Sequence, residues 1–228
     1  MQNEMDITSL GAKVRTDSSL ELNGLLARFG LEGFRALQKE AVTAVLEKRD
    51  CLVLMPTGGG KSLCYQLPSL ALNGCTVVVS PLIALMKDQA DSVNKKLMQE
   101  HYAHVLNSSI AAGKQTEIKA KVHQGETKLI YVSPEWLSVE GNQAFLESID
   151  VPLIAIDEAH CVSEWGHDFR PEYIKLGVLA ETFPHVPRLA LTATADPRTR
   201  DEIVQRLQLG DGQVFMASFD RPNIRYLL

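Results

Sequence analysis

The chain has 228 residues, enough for one α/β domain or two small ones, and its 45% hydrophobic and 22% charged content is that of an ordinary globular protein. A net charge of −5 argues against a generally basic nucleic-acid coat, though not against binding through a local groove. Four cysteines, at 51, 64, 75 and 161, form no CxxC pair; they read as buried thiols in a reducing compartment, not as a disulfide framework, and zinc is not expected. No apolar run approaches the roughly 18 residues of a membrane span. The opening MQNEMDITSL lacks the basic-then-apolar layout of a signal peptide, so a protein working inside the cell without a membrane partner is expected.

Residues 1–19 are polar and aperiodic and read as a flexible arm. Apolar residues at 20, 22, 25, 26 and 29 predict an amphipathic helix ending near Gly30. Leu37, Ala41, Val42, Val45 and Leu46 share one face of a second helix over 34–46. A short apolar strand over 51–55 follows, then three glycines, then a helix-compatible stretch that stops at Pro68. Beyond it the pattern alternates, with strands predicted over 76–80, 101–107, 128–132, 152–157, 188–192 and 214–218. The helices between them are predicted over 81–96, 112–123, 134–148, 171–183 and 197–207. Repeated strand–helix units of this length make an α/β fold, a parallel, doubly wound sheet with helices on both faces, as one domain over 20–218.

The glycine stretch reads CLVLMPTGGGKSLCYQL. Strand, glycine loop, helix is the layout of a phosphate-binding P-loop. Without Cβ atoms at Gly58, Gly59 and Gly60, several backbone N–H groups can point at one phosphate. A helix opening at Lys61 adds its dipole. Lys61 can reach the β- and γ-phosphates, and the Ser62 hydroxyl can ligate Mg²⁺. The strict pattern wants glycine where this chain has Met55, and the plain alternative is a glycine turn followed by an exposed lysine. Three glycines, a lysine and a hydroxyl residue in a row arise by chance in roughly one chain per thousand.

Asp157-Glu158-Ala159-His160 ends the strand predicted over 152–157. Ligands of parallel α/β sheets bind beyond the carboxyl ends of strands, the edge that also carries the P-loop. A triphosphate gripped there would meet two acidic side chains from a neighbouring strand tip. Asp157 would face the nucleotide's metal, and Glu158 would orient or deprotonate the attacking water. The alternative is an acidic surface loop, but an apolar strand ending in Asp-Glu costs desolvation unless something cationic binds.

These motifs, with VVVSPLIALMKDQ, YVSPEWL, CVSEWGHDFRPEY and LALTATAD, resemble the RecQ family of ATP-dependent DNA helicases over about residues 20–228, in family order. CVSEWGHDFRPEY is the most specific of them. The resemblance implies a P-loop NTPase (RecA-like) motor lobe using ATP and Mg²⁺, with Lys61, Asp157, Glu158 and His160 as catalytic residues. It implies nucleotide binding by Arg35, Gln38, Thr57, Gly58, Gly59, Gly60, Lys61 and Ser62, with Ser62 and Asp157 on the metal. Gln38 would read the adenine edge, since an amide can pair with its donor and acceptor; a helix-surface glutamine is the alternative. Lys87 would contact single-stranded DNA, or be a solvated lysine. Thr192 and Thr194 would couple hydrolysis to DNA movement, or be a strand end with local hydroxyl bonds.

Trp165, His167, Phe169 and Arg170 sit within six residues, just after the acidic pair. Aromatic faces stack on unpaired bases, and arginine adds charge. Joined directly to Glu158, this loop could sense DNA; alternatively Trp165 and Phe169 close the core, with Phe169 the more buried. Two positions depart from the family. Trp136 stands where arginine is frequent, which puts one DNA-backbone contact in doubt, and Glu164 adds negative charge beside the loop. Residues 219–228 resemble the start of a linker to a second RecA-like lobe, whose arginine finger would be absent. The chain alone is therefore expected to hydrolyse ATP poorly, whereas its intact parent would translocate on single-stranded DNA and unwind duplex junctions 3′ to 5′. A non-catalytic nucleotide- or DNA-binding module acting through partners is the alternative. The family places such a protein in the cytoplasm, at the nucleoid, of a bacterium, or in the nucleus of a eukaryote.

Overall fold

Among the described residues seven strands, β1 (Cys51–Leu54), β2 (Thr76–Val79), β3 (Ala103–Leu106), β4 (Leu129–Val132), β5 (Ile154–Ile156), β6 (Arg188–Thr192) and β7 (Gln213–Met216), lie in the order β3-β4-β2-β5-β6-β1-β7. Every pairing is parallel. The structure, a computed structural model, describes residues 22–35, 37–164 and 168–217. The expected arm over 1–19, Trp165, His167 and the segment 219–228 lie outside the described residues.

Each central strand divides its side chains between two cores. Leu52 and Leu54 of β1 point to one, Cys51 and Val53 to the other. Val77 and Val79 oppose Val78, Ile130 and Val132 oppose Leu129 and Tyr131, and Ile154 and Ile156 oppose Ala155. That is the two-residue alternation of a pleated strand, and burial of both faces explains the near-continuous apolar runs.

The covering helices alternate with the strands. α1 (22–28) and α2 (Gln38–Leu46) precede β1; α3 (Leu63–Gln66) and α4 (Pro68–Ala71) precede β2; α5 (Ile83–Leu97) precedes β3 and α6 (Ala112–His123) precedes β4. α7 (Pro134–Leu137) and α8 (Glu140–Glu147) lead to β5, α9 (Pro171–Ile174) and α10 (Val178–Thr182) to β6, and α11 (Pro197–Arg206) to β7. α2, α3 and α5 bury Ala41, Val45, Tyr65, Met86 and Val93 on one face; α6 to α11 bury Ile118, Trp136, Phe145, Tyr173 and Ile203 on the other. All four cysteines are buried and free. No helix among the described residues is long and apolar enough to cross a membrane.

Element boundaries depart from the sequence pattern where the backbone turns. α2 starts at Gln38 and not at 34, because Leu37 is left-handed at φ 66. α3 ends at Gln66, before Pro68 as expected, but Leu67 stays right-handed and Pro68 opens α4 at once, a first-turn position where its missing N–H costs nothing. The helix expected over 134–148 is two, split at the extended Val139. The helix expected over 171–183 is interrupted by a 3-10 turn, Lys175–Gly177. A Cβ at Gly177 would sit 2.7 Å from the Arg206 carbonyl, so α11 packs against bare backbone there.

Candidate active site

β1 feeds straight into the glycine loop, and Met55 N donates to Thr192 O at 3.1 Å, so the loop leaves the sheet beside the tip of β6. The three glycines serve different needs. Gly58 and Gly60 are left-handed, at φ 80 and 83. At Gly59 a Cβ would lie 2.9 Å from the Pro56 carbonyl. Lys61 and Ser62 form the turn into α3, which is a single helical turn. The loop's own N–H groups, more than a long helix dipole, are what it offers an anion.

The loop is tied down by residues from the preceding segment. Arg35 donates from Nη1 to Gly58 O at 2.8 Å. Gln38 Nε2 donates to Gly60 O at 3.0 Å, and its Oε1 accepts from Arg35 N at 2.7 Å. Gln38 is 2% exposed, so it is not a helix-surface glutamine. Both ends of its amide are engaged, so pairing with an adenine edge would require exchanging those bonds. Lys61 Nζ donates to Met55 O at 3.1 Å. Thr57 is exposed at the loop's outer edge.

Asp157 and Glu158 follow β5 on the same rim, not on the strand next to β1. β6 lies between, so Thr192 rises between the loop and the acidic pair. Burial, then the neighbouring Glu158 carboxylate, pushes the Asp157 pKa up to about 6, while Lys61 and the Glu158 N–H pull it back. The Lys61 charge thus acts on Asp157 from the same rim. Asp157 Oδ1 accepts from Glu158 N at 3.0 Å, and Tyr173 Oη donates to Asp157 O at 2.9 Å. Glu158 itself is left-handed at φ 49, ψ 44, an uncommon conformation for a glutamate and one that nothing in its sequence context signals.

His160 links this pair to β6. Its Nδ1 lies 2.9 Å from Thr192 Oγ1 and 3.3 Å from Glu158 Oε2. Thr192 Oγ1 donates to Thr194 O at 3.0 Å, so its only hydrogen is spent; His160 Nδ1 is then the donor, shared between Thr192 and Glu158. Thr192 and Thr194 do make the local hydroxyl bonds of a strand end, and the His160 contact is additional to them.

Of the candidate DNA-facing residues, Lys87, Phe169 and Arg170 are described, and Trp165 and His167 lie outside the described residues. Lys87 is exposed on α5, near Leu82 and Ile83, which are 44% and 43% exposed. Phe169 is 36% exposed, so it does not close the core, and the comparison with Trp165 lies outside the described residues. Arg170 donates from Nη1 to Pro81 O at 3.3 Å and from its backbone to Cys161 O at 3.0 Å, tying its loop to the tip of β2. Glu164 pairs with Arg206 at 2.9 Å, which offsets its charge beside that loop.

Trp136 is 2% exposed; Lys119 Nζ stands 5.3 Å from its ring centroid, and its Nε1 donates to Gln115 Oε1 at 2.9 Å. The position is core, so it offers no backbone contact to DNA. Trp136→Ala should cost about 3–5 kcal/mol in chemical denaturation while leaving nucleotide affinity unchanged.

Sequence reasoning missed Tyr173 and the Arg35 clamp on Gly58. Tyr173 lies within the most specific motif and could have been singled out there; the clamp had no signal, because it depends on the turn at Leu37.

A family model described as DEAD/DEAH box helicase matches residues 35–203. The ATP-dependent DNA helicase RecQ of Pasteurella multocida is 49% identical over 207 residues, 91% of this chain and 32% of that protein. RecQ of Haemophilus influenzae is 48% identical, over 91% of this chain and 33% of that protein. The solved helicase domain of Pyrococcus furiosus Hef shares the fold, with a TM-score of 0.61 at 21% identity, covering 82% of this chain and 38% of that one. The chain thus spans about a third of the length of these two curated relatives. With a glycine loop, an acidic pair and the His160–Thr192 contact on one sheet rim, the chain belongs to the DEAD/DEAH box helicase family and is similar to RecQ helicases over most of its length.

Proposed function

We propose that this chain is the ATP-binding motor lobe of a RecQ-like DNA helicase, occupying about residues 20–218. The observation that carries this reading is the convergence of Lys61, Asp157, Glu158 and the His160–Thr192 contact at one end of the sheet. The loop N–H groups and Lys61 would hold the triphosphate, with Arg35 and Gln38 positioning the loop and the base. Glu158 would take the proton of the attacking water, and His160 would report its state to Thr192. Mg²⁺ fits the donors present: a hydroxyl at Ser62 and, at Asp157, a carboxylate crowded by a second one. Bound there, it would supply charge neutralisation at the phosphate oxygens.

Lys87, Phe169 and Arg170, with Trp165 and His167, would face single-stranded DNA. Translocation and duplex unwinding would belong to the longer protein, in which a second lobe adds an arginine typically worth about 10³–10⁵ in rate. The test is ATP turnover by this chain with and without single-stranded DNA, alongside binding of a fluorescent ATP analogue. Nucleotide binding with slow turnover is expected. Robust DNA-stimulated turnover by this chain alone would contradict the need for a second lobe, and absence of nucleotide binding would contradict the reading as a whole.

A further inference from the structure

The helix behind the glycine loop and the helix that carries Lys87 meet through a polar contact between the buried Gln66 and the half-buried Gln89. Gln66, at the end of α3, is 4% exposed, and its Nε2 donates to Gln89 Oε1 at 3.1 Å and to Tyr131 Oη at 3.2 Å. Gln66 N donates to Ser62 O at 3.0 Å. Ser62 is therefore one helical turn and two hydrogen bonds from α5. At Gln66 an aliphatic side chain would fill the same space without the cost of burying an amide, so packing alone does not call for glutamine there.

α5 is anchored at its other end. Asn94 Nδ2 donates to Ala103 O at 2.9 Å, and Asn94 Oδ1 accepts from Ala103 N at 2.8 Å, which fixes the helix to the edge strand β3. Its opening turns carry the exposed Leu82, Ile83, Leu85 and Lys87. At 1.5 Å per residue Gln89 lies about 7 Å from the Asn94 anchor and Ile83 about 16 Å, so a shift at Gln89 is roughly doubled at the start of the helix. A phosphate in the loop would draw Lys61 Nζ from Met55 O and the Gln38 amide from Gly60 O, on the residues that immediately precede Ser62.

We propose that Gln66 and Gln89 are positioning residues that convert occupancy of the glycine loop into a rotation of the exposed half of α5 about Asn94. This rests on reading the loop as the nucleotide site. Two sites joined by an element with two arrangements are what coupling requires, and only variants along the link can show it.

The experiment is amide hydrogen exchange over 83–90 with and without Mg–AMPPNP. It compares the wild-type chain with Gln66→Met, Gln89→Met and the triple variant Gln66→Met/Gln89→Met/Tyr131→Phe. In the wild type the nucleotide should change exchange in this segment by about fivefold or more, the low end of typical coupling between sites. Gln66→Met takes from the buried Tyr131 hydroxyl its Gln66 partner and should melt lower, Gln89→Met removes one of the two Gln66 bonds and should melt lower by less, and the triple variant should recover relative to Gln66→Met. All three should still bind Mg–AMPPNP and lose the α5 response. A response that returns with stability in the triple variant would make the contact merely structural and overturn the proposal. Nucleotide binding by the wild type without an α5 response would overturn it alone. No nucleotide binding by the wild type would remove the nucleotide reading and this proposal with it.

Discussion

Asp157→Asn should raise the melting temperature of this chain by about 4–8 °C at pH 8 in the absence of nucleotide, and the gain should shrink as the pH is lowered from about 6 to about 4. The cause is the carboxylate's own discomfort. Its pKa stands at about 6 in the fold against an ordinary 3.8, because burial and Glu158 oppose its charge. The folded chain therefore holds this proton more tightly than the unfolded chain. Above about pH 6 the group is ionised in both states and its burden is fully present; below 3.8 it is protonated in both and the burden is gone. Discounted for the part of the residue that water still reaches, the burden is about 2 kcal/mol, or about 4–8 °C in a chain of this size. Asparagine keeps an oxygen to accept from the Glu158 N–H, so the local turn survives. The same substitution should abolish any Mg²⁺ dependence of nucleotide binding. Thermal melts at pH 4, 6 and 8, with and without Mg–AMPPNP, check both halves. A wild-type chain more stable than Asp157→Asn at pH 8 would show that the carboxylate is satisfied within the fold and has no need of a cation.

Glu158→Gln should leave nucleotide affinity nearly intact and slow single-turnover hydrolysis by about 10²–10⁴, the usual worth of a positioned general base. Glutamine has the same reach, and its oxygen can still accept from His160 Nδ1, now 3.3 Å from Glu158 Oε2. What it cannot do is take a proton. Removing the charge also removes the second cause of the raised Asp157 pKa, so that pKa should fall and the carboxylate should be more fully ionised near pH 6. Hydrolysis unchanged by this substitution would assign the water to another residue.

Much of this arrangement was legible because it depends on composition over short distances. Runs such as TVVV and LIYV read as strands, and the two cores show why their side chains are apolar on both faces. Three adjacent glycines announce a loop whose backbone has no room for side chains, and the close approaches at Gly59 and Gly60 supply the reason. Order along the chain does not disclose order across the sheet, so the expectation that the acidic pair would come from the strand beside β1 missed the intervening β6. Nor does helical periodicity reveal interruptions. Leu37 and Val139 look like helix residues, and only their backbone angles, left-handed at Leu37 and extended at Val139, set them apart. The aromatic at 136 could be placed as core or surface only by its partners, Gln115, Lys119 and Phe145, which come from elsewhere in the chain.

Lys61→Ala offers the most direct measurement of whether a triphosphate is held between the glycine loop and the acidic pair. Titration of Mg–AMPPNP into the wild-type chain should give saturable binding. The alanine variant should bind about 10–100-fold more weakly, the loss of one hydrogen bond to a charged group, with an unchanged melting temperature in the absence of nucleotide. Equal affinity in the two proteins would place the nucleotide elsewhere and contradict the shared role of Lys61, Asp157 and Glu158.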